Sequence, residues 1–157
     1  VSAFEIYTDG CCAPSNPGPG GYAAVILSEA FADGSWIVSG GEPDTTNNRM
    51  ELRAAIESLC AIPGASTVRI ITDSKYVRDG FTKWLPKWKQ RGWRTASKEP
   101  VKNVDLWKAL DVAVARHAEV GFFWMRGHLG NRWNERADEV AALEAEKWLD
   151  VPAWSAG

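Results

Sequence analysis

Cysteine is scarce in this chain, three among 157 residues. Cys11 and Cys12 are neighbours and Cys60 stands alone. An odd count with no C-x-x-C and no Cys/His ligand spacing suggests neither a disulfide framework nor a zinc site. No apolar run approaches the length of a membrane span, and the N-terminal stretch lacks the basic and apolar blocks of a signal peptide. Internal repeats and low-complexity tracts are absent as well. The expectation is a soluble, cytoplasmic monomer with no membrane partner.

What is present fits one globular domain with a real core. At 45% hydrophobic and 24% charged, 157 residues can fold without staples. Strand-like runs fall near 3 to 8, 21 to 28, 35 to 40, 67 to 72 and 120 to 125. The first three follow one another across Gly-rich and Asp-Gly turn signals, as antiparallel neighbours do. Leu52, Ala55, Ile56 and Leu59 form an apolar helical stripe after Asn48, closed by Pro63-Gly64. A second helix is expected from Ser74, a third over 104 to 117, and a last from about Asn134 to Trp148 with Ala137, Val140 and Ala141 buried. Asp138, Ala141, Ala142 and Ala145 would form a neighbouring face of small residues. Three antiparallel strands followed by strand-helix alternation imply an α/β fold, a mixed sheet with helices on it. The domain is expected over 1–149, with 150–157 an irregular tail.

The net charge of -2 hides an asymmetry. From Lys83 to Lys102 there are seven basic residues and one acid, a net of +6, so the remainder carries -8 from eleven basic and nineteen acidic residues. Such a block reads as a footprint for a polyanion. Within it, Trp84, Trp88 and Trp93 alternate with Lys83, Lys87, Lys89 and Arg91. These indoles can be core beneath a solvated basic face, or aromatic faces beside cations that grip a nucleic-acid backbone; both hold if the indoles pack the base of a protrusion with a cationic rim.

Four acids stand in four separate contexts: Asp9 in IYTDG, Glu51 in NNRMEL, Asp73 in IITDS and Asp138 in NERADEVA. Asp9 and Asp73 each follow a strand-forming run ending in Thr-Asp, and the crevice beyond the carboxyl ends of neighbouring strands is where open α/β sheets bind ligands. If those strands are adjacent and parallel, two carboxylates meet at one sheet edge. Crowded carboxylates are relieved by protonation or by a hard divalent cation such as Mg²⁺, which makes the cluster a candidate phosphoryl-transfer site. Each acid also has a plainer reading. Asp9-Gly10 is a turn dipeptide, Asp73-Ser74 an N-cap, Asn48 with Glu51 a capping-box spacing, and Asp138 a surface charge.

Taken together, Tyr7-Thr-Asp-Gly, Asn16-Pro-Gly-Pro-Gly-Gly, Thr45-Thr-Asn-Asn-Arg-Met-Glu-Leu, Thr72-Asp-Ser-Lys-Tyr-Val, Lys89-Gln-Arg-Gly-Trp-Arg-Thr-Ala, Pro100-Val-Lys-Asn-Val-Asp-Leu-Trp, Gly127-His-Leu-Gly-Asn and Asn134-Glu-Arg-Ala-Asp closely resemble bacterial-type ribonuclease H, type 1, over roughly Phe4 to Lys147. The resemblance implies a ribonuclease H-like fold: a five-stranded mixed sheet, three antiparallel strands then two parallel, with helices on both faces. It implies an endoribonuclease that cuts the RNA strand of RNA/DNA hybrids and leaves 5′-phosphate and 3′-hydroxyl ends. Asp9, Glu51, Asp73 and Asp138 would hold two Mg²⁺ ions, with Mn²⁺ as a substitute. His128 matches the family's mobile histidine, which assists water activation or product release. Asn16, Thr46, Asn47, Asn48 and Asn103 match substrate contacts. Tyr76, Trp84, Lys87, Lys89 and Arg91 match residues facing the DNA strand.

The loop from Asp9 to Asn16 is one residue longer than in close relatives, and Asn131 stands where several carry a second histidine. Two other readings stay open: a binding module whose acids are structural, and a related two-metal nuclease acting on another nucleic acid.

Overall fold

The computed structural model describes residues 3–29, 34–127 and 130–149. Five strands, β1 (Ala3–Cys12), β2 (Gly18–Leu27), β3 (Ser35–Thr45), β4 (Thr67–Thr72) and β5 (Glu119–Trp124), form one sheet in the order β3-β2-β1-β4-β5. The β1–β2 and β2–β3 pairs are antiparallel; β1–β4 and β4–β5 are parallel. The helices are α1 (Asn47–Ala61), α2 (Lys75–Asp79), α3 (Leu85–Gln90), α4 (Val104–Ala115) and α5 (Arg132–Glu146), with a π-helical turn at Gly80–Trp84 joining α2 to α3.

Side-chain alternation along the strands assigns the two faces. Phe4, Ile6, Ala24, Ile26, Ile70 and Phe122 pack with Leu52, Ala55, Ile56 and Leu59 of α1 and Leu106, Trp107 and Leu110 of α4. Tyr7, Val25 and Ile71 turn the other way and meet Ala137 of α5. Helices thus cover both faces, as expected. Trp107, fully buried, is the largest side chain of the core.

The differences from the sequence expectations lie at element ends. Asp9-Gly10 is not a turn: β1 continues to Cys12, because Asp9, Gly10, Cys11 and Cys12 pair with Ala23, Tyr22, Gly21 and Gly20 of β2. The cap of α1 is Thr46, whose hydroxyl accepts the Arg49 N–H at 3.2 Å, so Asn47 and Asn48 are its first two residues. Ser74, not Asp73, caps α2 by accepting the Val77 N–H. The last helix starts earlier, capped by Asn131, which accepts the N–H groups of Trp133 and Asn134 at 2.9 Å each. On α5 the buried small residues are Ala137, Ala141 and Ala145, whereas Ala142 is exposed. A Cβ at Gly21 would overlap the Ala141 carbonyl, so glycine there lets α5 lie directly on β2.

Candidate active site

Thr8 of β1 pairs in parallel with Thr72 of β4, so Asp9, inside β1, and Asp73, just past the end of β4, occupy the next positions on adjacent strands. Glu51 arrives from α1. The approach depends on Gly10, since a Cβ there would overlap the Met50 carbonyl carbon and the Glu51 amide nitrogen. One carboxylate oxygen from each of Asp9, Glu51 and Asp73 lies within 4.8 Å of the other two. Asp138, on α5, stands close enough to Asp9 to raise its pKa. The structure therefore brings all four acids to one end of the sheet. His128 lies outside the described residues.

Local contacts aim these groups. Asp9 Oδ1 accepts the Gly10 N–H at 2.8 Å. Trp124, beside Thr72 in the β4–β5 register, donates its indole N–H to the Asp73 carbonyl at 2.9 Å. A Cβ at Gly127 would stand 2.7 Å from Asp73 Oδ2, so glycine leaves room for that carboxylate.

The electrostatics are those of a negatively charged cluster drawn out of water. Asp9 is pushed up to about 7, first by burial and then by the charge of Asp73. Glu51, a buried residue, is held well above the ordinary carboxylate range by burial and by Asp9 and Asp73. Burial and mutual repulsion both favour the protonated form of Asp9 and Glu51 while no cation is bound. The Cys11 thiol is raised to about 11, mainly by burial and also by Asp9 and Asp138. Glu51 Oε2 is buried with no hydrogen-bond partner. An all-oxygen donor set with such an orphaned oxygen fits a hard divalent cation, because the ion satisfies the buried atom and removes the repulsion together.

Beside the acids, the Asn16 carbonyl oxygen accepts the Asn47 N–H at 3.1 Å, and the Asn47 side-chain oxygen accepts the Cys12 N–H at 2.6 Å. Backbone donors thus occupy both amide oxygens and leave both NH₂ groups as donors for a polyanion. Asn16, Asn47 and Asn48 are exposed, and Thr46 is half-buried.

On the other flank, the π turn and α3 carry the basic segment. Trp84 is 39% exposed, while Trp88 and Trp93 pack against the core. Ring contacts run from Tyr76 to Trp84 at 6.3 Å, Trp84 to Trp88 at 6.0 Å and Trp88 to Trp107 at 5.3 Å. Lys87, Lys89 and Arg91 are exposed, but Lys89 is paired to Asp111 at 3.1 Å. Asn103 and Tyr76 share a hydrogen bond of 3.1 Å. Sequence reasoning missed Arg49, Asp105 and Trp124, whose partners lie far away in the chain.

A cavity of about 730 Å³ opens near the other ends of β1 and β4, between Glu5, Leu27, Glu29, Arg69 and Trp133. None of the four acids lines it.

Residues 2–146 match the model of the RNase H family. The ribonuclease HI of Pseudomonas aeruginosa is 58% identical over 136 residues, 87% of this chain and 88% of that protein. The ribonuclease H of Hahella chejuensis is 50% identical over 149 residues, 95% and 97% of the two chains. Among solved structures, LC9-RNase H1, a type 1 RNase H, superposes with a TM-score of 0.83 at 35% identity, covering 94% of this chain and 74% of that one. With fold, acid cluster and likeness over most of the chain in agreement, the chain belongs to the RNase H family, the endoribonucleases that hydrolyse the RNA strand of RNA/DNA hybrids.

Proposed function

We propose that this chain cleaves hybrids at Asp9, Glu51, Asp73 and Asp138 with two Mg²⁺ ions, Mn²⁺ being a possible substitute, and leaves 5′-phosphate and 3′-hydroxyl ends. The observation that carries the reading is the convergence of Asp9, Glu51 and Asp73 within 4.8 Å around a buried, unpartnered Glu51 oxygen. Membership of the RNase H family implies dependence on divalent metal. When bound, the ions would supply Lewis-acid activation of the attacking water and charge neutralisation at the leaving 3′ oxygen.

The chain itself orients and binds. Adjacent strands fix Asp9 and Asp73, and α1 and α5 bring Glu51 and Asp138 to them, so the carboxylates need little reorganisation when a substrate arrives. The NH₂ groups of Asn16 and Asn47, with Thr46 and Asn48, suit the RNA backbone and its 2′-hydroxyls. Lys87, Lys89 and Arg91, with Trp84, Tyr76 and Asn103, suit the phosphates and sugars of the hybrid. His128 assists water activation or product release. In this reading the active unit is a monomer.

The test is cleavage of an end-labelled RNA/DNA hybrid with Mg²⁺ or EDTA, beside single-stranded RNA, duplex RNA and duplex DNA. Internal cuts confined to the hybrid's RNA strand and abolished by EDTA are expected. Cleavage persisting in EDTA, or preferring another substrate, contradicts the proposal.

A further inference from the structure

Arg49 lies two residues before Glu51 on α1 and belongs to no site described above. Its Nη1 and Nη2 donate to Asp105 Oδ1 and Oδ2 at 2.9 and 2.7 Å, a bidentate pair that ties α1 to the first turn of α4. Nη1 also reaches Asn103 Oδ1 at 3.3 Å. A guanidinium has only donors, so this contact settles which end of the Asn103 amide is oxygen. The opposite end, Nδ2, therefore donates to the Tyr76 hydroxyl at 3.1 Å. The Trp107 indole N–H donates to the same hydroxyl at 3.0 Å.

Three features make this a relay and not a set of surface contacts. Asn103 adopts a left-handed backbone, φ 59°, and makes no side-chain cap to α4, so its amide is held by Arg49 and Tyr76 instead. The Tyr76 oxygen already accepts two hydrogen bonds, so its own O–H can act only as a donor. Trp107 is fully buried, which anchors the far end of the relay in the core.

We propose that Arg49 is a positioning residue for hybrid binding: through Asp105 and the Asn103 amide it fixes the Tyr76 hydroxyl as a donor facing the nucleic acid. The inference rests on the hybrid-cleavage reading and adds a substrate-orienting role for a side chain that need not touch substrate. The pair is partly solvent-exposed, with side chains 28% and 63% accessible, so its contribution to overall stability is small while its geometric effect is local.

The experiment is a double-mutant cycle on KM and kcat with an RNA/DNA hybrid, using Arg49→Lys, Tyr76→Phe and the pair, with melting temperatures measured alongside. Lysine keeps a charge beside Asp105 but cannot bridge both carboxylate oxygens and Asn103. Arg49→Lys is expected to raise KM about five- to tenfold, the loss of roughly one hydrogen bond, with kcat within about twofold. In the Tyr76→Phe background the same change should raise KM less than about twofold, because the hydroxyl it orients is gone. Asp105→Asn, run through the same cycle, should behave likewise. Additive effects on KM overturn the relay and make Arg49 a direct contact or a bystander. A KM unchanged by both Arg49→Lys and Asp105→Asn also overturns it. If the unmutated chain does not cut the hybrid, it is the functional reading that fails.

Discussion

At the scale of single residues, the decisive property is the cost of assembling Asp9, Glu51 and Asp73 without a cation. Asp9 has a folded pKa of about 7 against an ordinary 3.8, so in the metal-free chain its contribution to stability is complete below about pH 4 and is lost as pH rises through 7. Glu51 shifts in the same direction for the same reason. Asp9→Asn cannot ionise and escapes that loss. In EDTA at pH 8 the variant should melt higher than the unmutated chain by about 3–6 °C, roughly 1–2 kcal/mol, and the advantage should vanish at pH 4. Thermal denaturation across pH checks this. Mg²⁺ should raise the melting temperature of the unmutated chain more than that of the variant, since a bound ion stabilises the state that holds it. A difference independent of pH and metal would show that the Asp9 carboxylate is not electrostatically frustrated.

At the scale of elements, the site exists because β1, β4, α1 and α5 each deliver an acid to one edge of the sheet. The α5 helix does so through its Asn131 cap, and Asn131→Ala should cost about 1 kcal/mol, or about 2–4 °C in melting temperature, by leaving the Trp133 and Asn134 N–H groups unsatisfied. An unchanged melting temperature would mean that water replaces the cap.

Element existence was legible in the sequence where periodicity was strong. All five strands were legible, as were the helical stripe through Leu52, Ala55, Ile56 and Leu59 and the one through Leu106 and Leu110. Element ends were not. Asp9-Gly10 has turn composition, yet pairing with Ala23 and Tyr22 carries the strand past it, and such pairing is invisible to a local window. Thr46 and Asn48 are both good capping types, and only the extended backbone at Thr46, φ -133°, decides between them. The convergence of Asp9, Glu51 and Asp73 was legible through their motifs. Arg49, Asp105 and Trp124 were not, because each acts on a partner about fifty residues away.

At the scale of the whole molecule, charge is segregated: an acid cluster at the sheet end and a basic segment from Lys83 to Lys102, on a chain of net charge -2. That arrangement predicts salt-sensitive binding on one flank. Replacing Lys87, Lys89 and Arg91 together with alanine should raise KM, and the slope of log KM against log salt should flatten by roughly 0.9 for each phosphate that is no longer neutralised. Lys89 should contribute least, since Asp111 already neutralises it. Steady-state kinetics at several salt concentrations measure both; an unchanged slope would remove the basic segment from the substrate path.

The most direct test of the central claim, that the four acids form the catalytic metal site and are not the source of hybrid affinity, is to measure cleavage and binding together for Asp9→Asn. Cleavage should fall by more than about a thousandfold, the scale of losing a principal charge-stabilising group, while the Kd for the uncut hybrid stays within about threefold. Turnover retained near that of the unmutated chain would contradict the account.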